Sequence, residues 1–181
     1  AALYEHQTGE NTLVTHGAIG ANQLAYLALI EPGDHVVSVV PSYQQHTSIP
    51  ESLGAKVTRV PLREERGWQL DVDELVGAIT PGTKVVSLTN PNNPTGNVAT
   101  PEEVDAVLGI VKDWPQCMVI ADEIYDALDF TGHHVSVASR SNDVPVVTLN
   151  GVSKVFFAPG WRIGWFGLHD PLGALGEVRD C

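Results

Sequence analysis

The segment TLNGVSKVFFAPGWRIGW, residues 148 to 165, sets Lys154 and Arg162 eight positions apart in a run that is otherwise apolar, aromatic and glycine-rich. A cation in such surroundings is costly unless an acidic partner, a bound anion or a covalent bond that removes the charge offsets its desolvation. A lysine beside an anion-binding arginine in an apolar pocket gives up its proton readily, which frees an amine for Schiff-base chemistry. A phosphate would answer Arg162. The competing reading is a surface Lys and Arg with buried stems; the run offers little polar surface for it.

Four other stretches carry candidate groups. CMVIADEIYDAL ends an apolar run in Asp122, with Glu123 beside it and Tyr125 three residues on. That aspartate is either a helix cap or a counter-charge to a protonated ring nitrogen, the partner that pyridoxal phosphate (PLP) needs to act as an electron sink. HGAIGAN leads into a helical pattern, so Gly17, Ala18 and Ile19 are either a plain small-residue turn or free backbone N–H groups at a positive helix terminus, where phosphate fits. Tyr43, two residues past a strand-like run, is a surface or core aromatic or a face on which a flat ring stacks. NPNNPTGN is mostly turn chemistry, but an Asn held between prolines is a well-positioned hydrogen-bond donor, and Asn93 is the candidate.

These groups need a scaffold, and the hydrophobic pattern supplies one. Strand-length apolar runs at 11–16, 35–40, 56–62, 84–88, 117–121, 144–149 and 162–168 alternate with helical patterns at 21–30, 44–54, 71–79 and 100–114. Such alternation predicts an α/β protein, a three-layer αβα arrangement around a mostly parallel sheet. Thr100 as N-cap, Pro101 at the first helical position and Glu103 three after the cap mark one helix start. Asp71 with Glu74 marks another. In an open parallel sheet, ligands bind outside the carboxyl ends of the strands, where most of the candidates fall.

With 181 residues, 43% of them hydrophobic, the chain can bury one sizeable core. Its formal charge of −12 and scattered Lys and Arg argue against a nucleic-acid partner. No apolar run approaches the ~18 residues of a membrane span. Cys117 and Cys181 fit no metal-ligand spacing, which suggests a reducing compartment. The start at AALYEHQTGE, without Met, and the stop at LGEVRDC lead us to expect a piece of a longer protein.

SKVFFAPGWRIGW, NPNNPTG and ADEIYDAL, in register, resemble the fold-type-I PLP-dependent enzymes, specifically the class I/II aminotransferase family, and the likeness runs from LVTHGAIGAN to RIGWFGL. The resemblance implies that Lys154 carries the cofactor as a Schiff base, Asp122 pairs with the pyridinium nitrogen, and Tyr125 and Asn93 hydrogen-bond the ring's phenolic oxygen. It implies that Tyr43 stacks on the ring and that the backbone of Gly17, Ala18 and Ile19, with Ser153 and Arg162, holds the phosphate. Gly151 departs from the family, many members of which have a hydroxyl residue there. The resemblance further implies a PLP-binding large domain over 1–181, lacking the family's N-terminal segment and C-terminal small domain. It also implies amino-acid and 2-oxo-acid substrates, a cytoplasmic location and a homodimeric parent. SYQQHTSIPESLGA is similar to the same region of the aminotransferase-like capreomycidine synthases, which leaves a PLP-dependent elimination or cyclisation open. A PLP-binding domain without turnover is the third expectation.

Overall fold

The computed structural model describes residues 8–173. In chain order these form β1 (Thr12–His16), α1 (Gly17–Leu29), β2 (His35–Val40), α2 (Gln45–Ser52), β3 (Lys56–Pro61) and α3 (Val72–Ala78). They continue as β4 (Thr83–Thr89), α4 (Pro101–Lys112), β5 (Met118–Asp122), α5 (Val137–Arg140), β6 (Val146–Gly151) and β7 (Ile163–His169). The strands make one sheet in the order β1-β7-β6-β5-β4-β2-β3. From β6 to β3 neighbouring strands run parallel, and β7 is antiparallel to both β1 and β6.

Both faces of the sheet are buried, which explains why its central strands read as continuous apolar runs rather than alternating ones. Val36, Val85, Ile120, Val147 and Leu149 pack with Ala21, Ala25 and Tyr26 of α1. Their strand neighbours Val37, Val86, Val119 and Val146 point the other way, onto Leu75 of α3, Val104, Val107 and Val111 of α4, and Val137 and Ala138 of α5. The three layers follow from that alternation.

Local chemistry sets the helix ends. Thr100 accepts from the backbone of Glu103 while Glu103 accepts from the Thr100 N–H, a complete capping box behind Pro101. Asp71 caps α3 through the Asp73 and Glu74 N–H groups, but the Glu74 carboxylate turns to Arg63 instead of closing a box. α1 begins at Gly17, four residues before the apolar pattern would start it, and α5 lies in a stretch whose periodicity gave no signal. Cys117 is buried, and burial pushes its thiol up to about 12, so it is an inert core residue. Cys181 lies outside the described residues. Among those residues no helix is long and apolar enough to cross a membrane.

One contact ties the helix layer to the antiparallel strand. A Cβ on Gly164 of β7 would fall 2.7 Å from the Gly17 carbonyl oxygen and closer still to the Ala18 nitrogen. The backbone at the start of α1 therefore rests directly on β7, and no flexible side chain can yield there. Gly164→Ala is expected to destabilise the fold by about 1–3 kcal/mol or more through overpacking; an unchanged denaturant midpoint would remove this contact from the account.

Candidate active site

At the carboxyl ends of the parallel strands lies a cavity of about 240 Å³, beside the point where β2 has β3 on one side and β4 on the other, the usual place for a ligand in such a sheet. Ala18, Ile19, Tyr43, Asn93, Asp122, Tyr125, Ser153, Lys154 and Arg162 all line it, together with Gln45, Thr89, Ile124 and Pro159. Gly17 is the one candidate that does not line the wall; it lies beneath the Arg162 guanidinium, where a Cβ would come within 2.9 Å of Arg162 Cζ. Its φ of +74° also favours glycine.

Asp122 is the last residue of β5 and 3% exposed. Its side chain shares the parity of Ile120, so it faces α1 and α2. Ile124 N–H donates to Oδ1 (3.2 Å), while His46 Nε2 (3.1 Å) and, at longer range, Gln45 Nε2 (3.4 Å) approach Oδ2. Behind His46, Asn22 Nδ2 lies 3.2 Å from His46 Nδ1, and the Tyr26 hydroxyl donates to the His46 carbonyl. No helix starts at Asp122, so the carboxylate is held as an acceptor rather than spent as a cap. Gln45 Oε1 is buried and has no hydrogen-bond partner among the described residues.

The opposite wall is cationic. Arg162, in the left-handed region with φ +51°, donates from Nη1 to the Pro159 carbonyl (2.9 Å) and lies over the N-terminal turn of α1. The α1 dipole, its N-terminal N–H groups and the guanidinium are chemically suited to an anion. Lys154 Nζ sits 5.9 Å from the centre of the Tyr125 ring. Burial, then Asp122 and Tyr43, raise the Tyr125 phenol above its ordinary pKa, so it stays a hydroxyl donor.

The expectation of a buried apolar setting for Lys154 is corrected. Its side chain is exposed, and Phe157 (85%), Trp161 (73%) and Phe156 (65%) stand in solvent. Residues 152–162 form turns and a short 3-10 helix (Pro159–Trp161) that link the carboxyl end of β6 to the start of β7, past the ends of the strands. Apolar composition implied burial, but only an element packed on the sheet gains it.

Gln45, His46, Asn22, Thr89 and Gly164 went unread in the sequence. QQH after Tyr43 was a weak signal, since side chains of an α2 that starts there must meet the end of a neighbouring strand. Asn22 gave none beyond its polarity on an apolar helix face.

Glu123 has the opposite parity from Asp122 and is fully buried. Its Oε1 accepts from Val137 N–H (2.9 Å) and Ser136 Oγ (3.1 Å), and His134 Nε2 stands 3.9 Å from Oε2. His134 in turn meets Asn90 Nδ2 at 3.3 Å. Burial above all, with Asp126 and Asp122 adding and the two hydrogen bonds opposing, pushes the Glu123 carboxyl up to about 8. Two adjacent acids thus sit in unlike settings, one lining a solvent-reached cavity and one sealed under α5.

Comparison with known proteins gives a consistent result. The family model described as aminotransferase class I and II matches residues 1–181. Tyrosine aminotransferase of Mus musculus is 30% identical over 94% of this chain and 38% of its own length. Aspartate aminotransferase of Sulfolobus acidocaldarius is 36% identical over 87% of this chain and 40% of its own. The structure of alanine aminotransferase from Pyrococcus furiosus superposes with a TM-score of 0.91 at 39% identity, covering 96% of this chain and 44% of that one. The chain spans less than half the length of each.

The raised Glu123 pKa makes stability depend on pH. Between about 4.5 and 8 the folded chain holds a proton that the unfolded chain has released, so this group's contribution is full below that window and declines across it, by at most about 1.4 kcal/mol per pH unit. In Glu123→Gln the decline is expected to vanish: the variant gains on the wild type from pH 5 to 8 in urea melts. Parallel pH curves for the two would contradict the buried-acid assignment.

Proposed function

Because the chain belongs to the class I and II aminotransferase family, we propose that its cavity holds pyridoxal 5'-phosphate and that the whole protein transfers an amino group between an amino acid and a 2-oxo acid. The observation that carries the reading is the presence of Asp122, Lys154 and Arg162 on one cavity. The donor set suits the cofactor. Asp122 offers a buried carboxylate to a protonated ring nitrogen, Tyr125 and Asn93 offer donors to a phenolic oxygen, and Tyr43 offers a half-exposed aromatic face. The α1 terminus with Arg162 and Ser153 suits a phosphate, and the close fit of Gly17 under the guanidinium keeps that cradle open.

When bound, the cofactor supplies an electron sink for the carbanion formed at a substrate α-carbon. The chain supplies the rest. Lys154, which lines the cavity, would provide the amine for covalent attachment and then the base that takes the α-proton. Asp122 would favour the protonated ring nitrogen, and the hydrogen bonds from Ile124, His46 and Gln45 fix the orientation of its carboxylate. Arg162 and the α1 terminus would hold the phosphate, on the same cavity as Lys154.

The reading extends to the 181 residues being the cofactor-binding large domain, supported by the share of the relatives' length they span. A homodimeric parent is supported by the exposed aromatics around Phe157 and Trp161, and a cytoplasmic location by the unpaired, buried Cys117. Incubation with PLP followed by borohydride is expected to leave a stable mass addition on Lys154, absent in Lys154→Ala. Labelling at another lysine would refute the assignment. Turnover of an amino acid without any 2-oxo acid would favour the elimination or cyclisation chemistry instead, and binding without turnover would mark a PLP-binding domain.

A further inference from the structure

The ladder between β2 and β4 stops short of the cavity. Their pairing ends at Ser38 and Ser87. Beyond it β2 follows β3 and β4 follows β5, so the two strands part, and residues of both continuations line the cavity. Each continuation carries a candidate cofactor contact: Tyr43 on the turn after β2, Asn93 in the loop after β4. Among the described residues neither side chain makes a hydrogen bond, so where each points is set by its backbone and its packing. That backbone lies past the end of the ladder, and the sheet does not fix one segment relative to the other.

Asn92, 7% exposed, spans the gap. Its Nδ2 donates to the Pro41 carbonyl (3.0 Å) and to Thr95 Oγ1 (2.8 Å). A carbonyl can only accept, so the orientation of the amide follows from its partner. The backbone of Asn92 closes the loop on itself, its N–H donating to the Asn97 carbonyl and its carbonyl accepting from Gly96 N–H, both at 2.9 Å. On the far side Asn90 N–H donates to the Asp122 carbonyl (2.9 Å), which moors the loop to β5. Ser42 Oγ and Thr89 Oγ1 also meet across the gap, at 3.0 Å. A hydroxyl pair can swivel, whereas a planar amide shared between two acceptors cannot turn without losing both. We propose that Asn92 is a positioning residue that joins the Tyr43 turn and the Asn93 loop into one unit, so that an aromatic face and a hydrogen-bond donor keep a fixed separation across the cavity. The joint is a property of this chain alone; its consequence for a bound cofactor rests on the function proposed above.

The test begins without cofactor, by NMR of the chain labelled with ¹³C-tyrosine and ¹⁵N-asparagine. The Tyr43 ring signal is identified by its loss in Tyr43→Leu, and the Asn93 side-chain amide by its loss in Asn93→Ala. Asn92→Ala is expected to displace or broaden both signals while the ring signal of Tyr26, sealed in the core, stays where it is. Asn92→Asp, which keeps the shape without the donor, should do the same. If either the Tyr43 or the Asn93 signal stays unmoved, the two segments are not one unit and the proposal falls. A Tyr26 signal that moves with them, or failure of both variants to fold, overturns it as well, since each marks a general support of the fold. With PLP added, Asn92→Ala should weaken binding roughly two- to tenfold, the span that one hydrogen bond commands. The factor should be smaller when Tyr43→Ala is already present, because the two substitutions then remove the same contact; an equal factor in both backgrounds counts against the joint. Failure of the wild type to bind PLP would overturn the functional reading and leave the cofactor-free spectra as the judge of Asn92.

Discussion

A carboxylate buried at the end of a strand is the constraint around which this chain is arranged. Asp122 is almost inaccessible to solvent, and an isolated charge in that position would be strongly disfavoured. It is tolerated because N–H groups from two elements converge on its oxygens: Ile124 from the strand's continuation, His46 and Gln45 from α2. That convergence needs α2 to lie against the end of β5, beside α1, whose Tyr26 and Ala21 are fixed in the core. The acid and the fold support one another.

The same logic separates the two neighbouring acids. Alternation along β5 sends Asp122 to the α1 and α2 face and Glu123 to the α5 face. Both meet a histidine whose Nδ1 faces an asparagine amide nitrogen, His46 with Asn22 and His134 with Asn90. Glu123, however, has fewer donors and no access to the cavity. Burial drives its carboxyl toward the neutral form, and it staples the start of α5 to the sheet through Val137 and Ser136.

Much of this was legible from residue types and spacing. The alternation of apolar runs with capped helices foretold the layered sheet, since Thr100, Pro101 and Glu103 act within a single turn and the core strands announce themselves by being apolar on both faces. The cavity-lining groups from Tyr43 to Arg162 were legible because each belongs to a short stretch with its own chemistry. What escaped was the support behind them. Asn22, His46 and Asp122 come together only through packing of three elements, and no local pattern encodes a contact of that kind. Gly164 was hidden for a similar reason, because it matters through the backbone it meets rather than through anything it carries. The aromatics of 156–161 misled because hydrophobic content predicts burial only where a layer exists to cover it.

The pleat of β5 carries a consequence for how this chain can vary over time. Composition along Met118–Asp122 has latitude, since one aliphatic side chain can replace another at little cost. Its length has none. One residue gained or lost within the strand would send every later side chain to the opposite surface: a loss would set Glu123 where Asp122 now lines the cavity, and a gain would carry Asp122 to the face beneath α5. Insertions and deletions should therefore gather in the turns that precede the strand, and a descendant with an altered residue count between Met118 and Asp122 should have abandoned the chemistry.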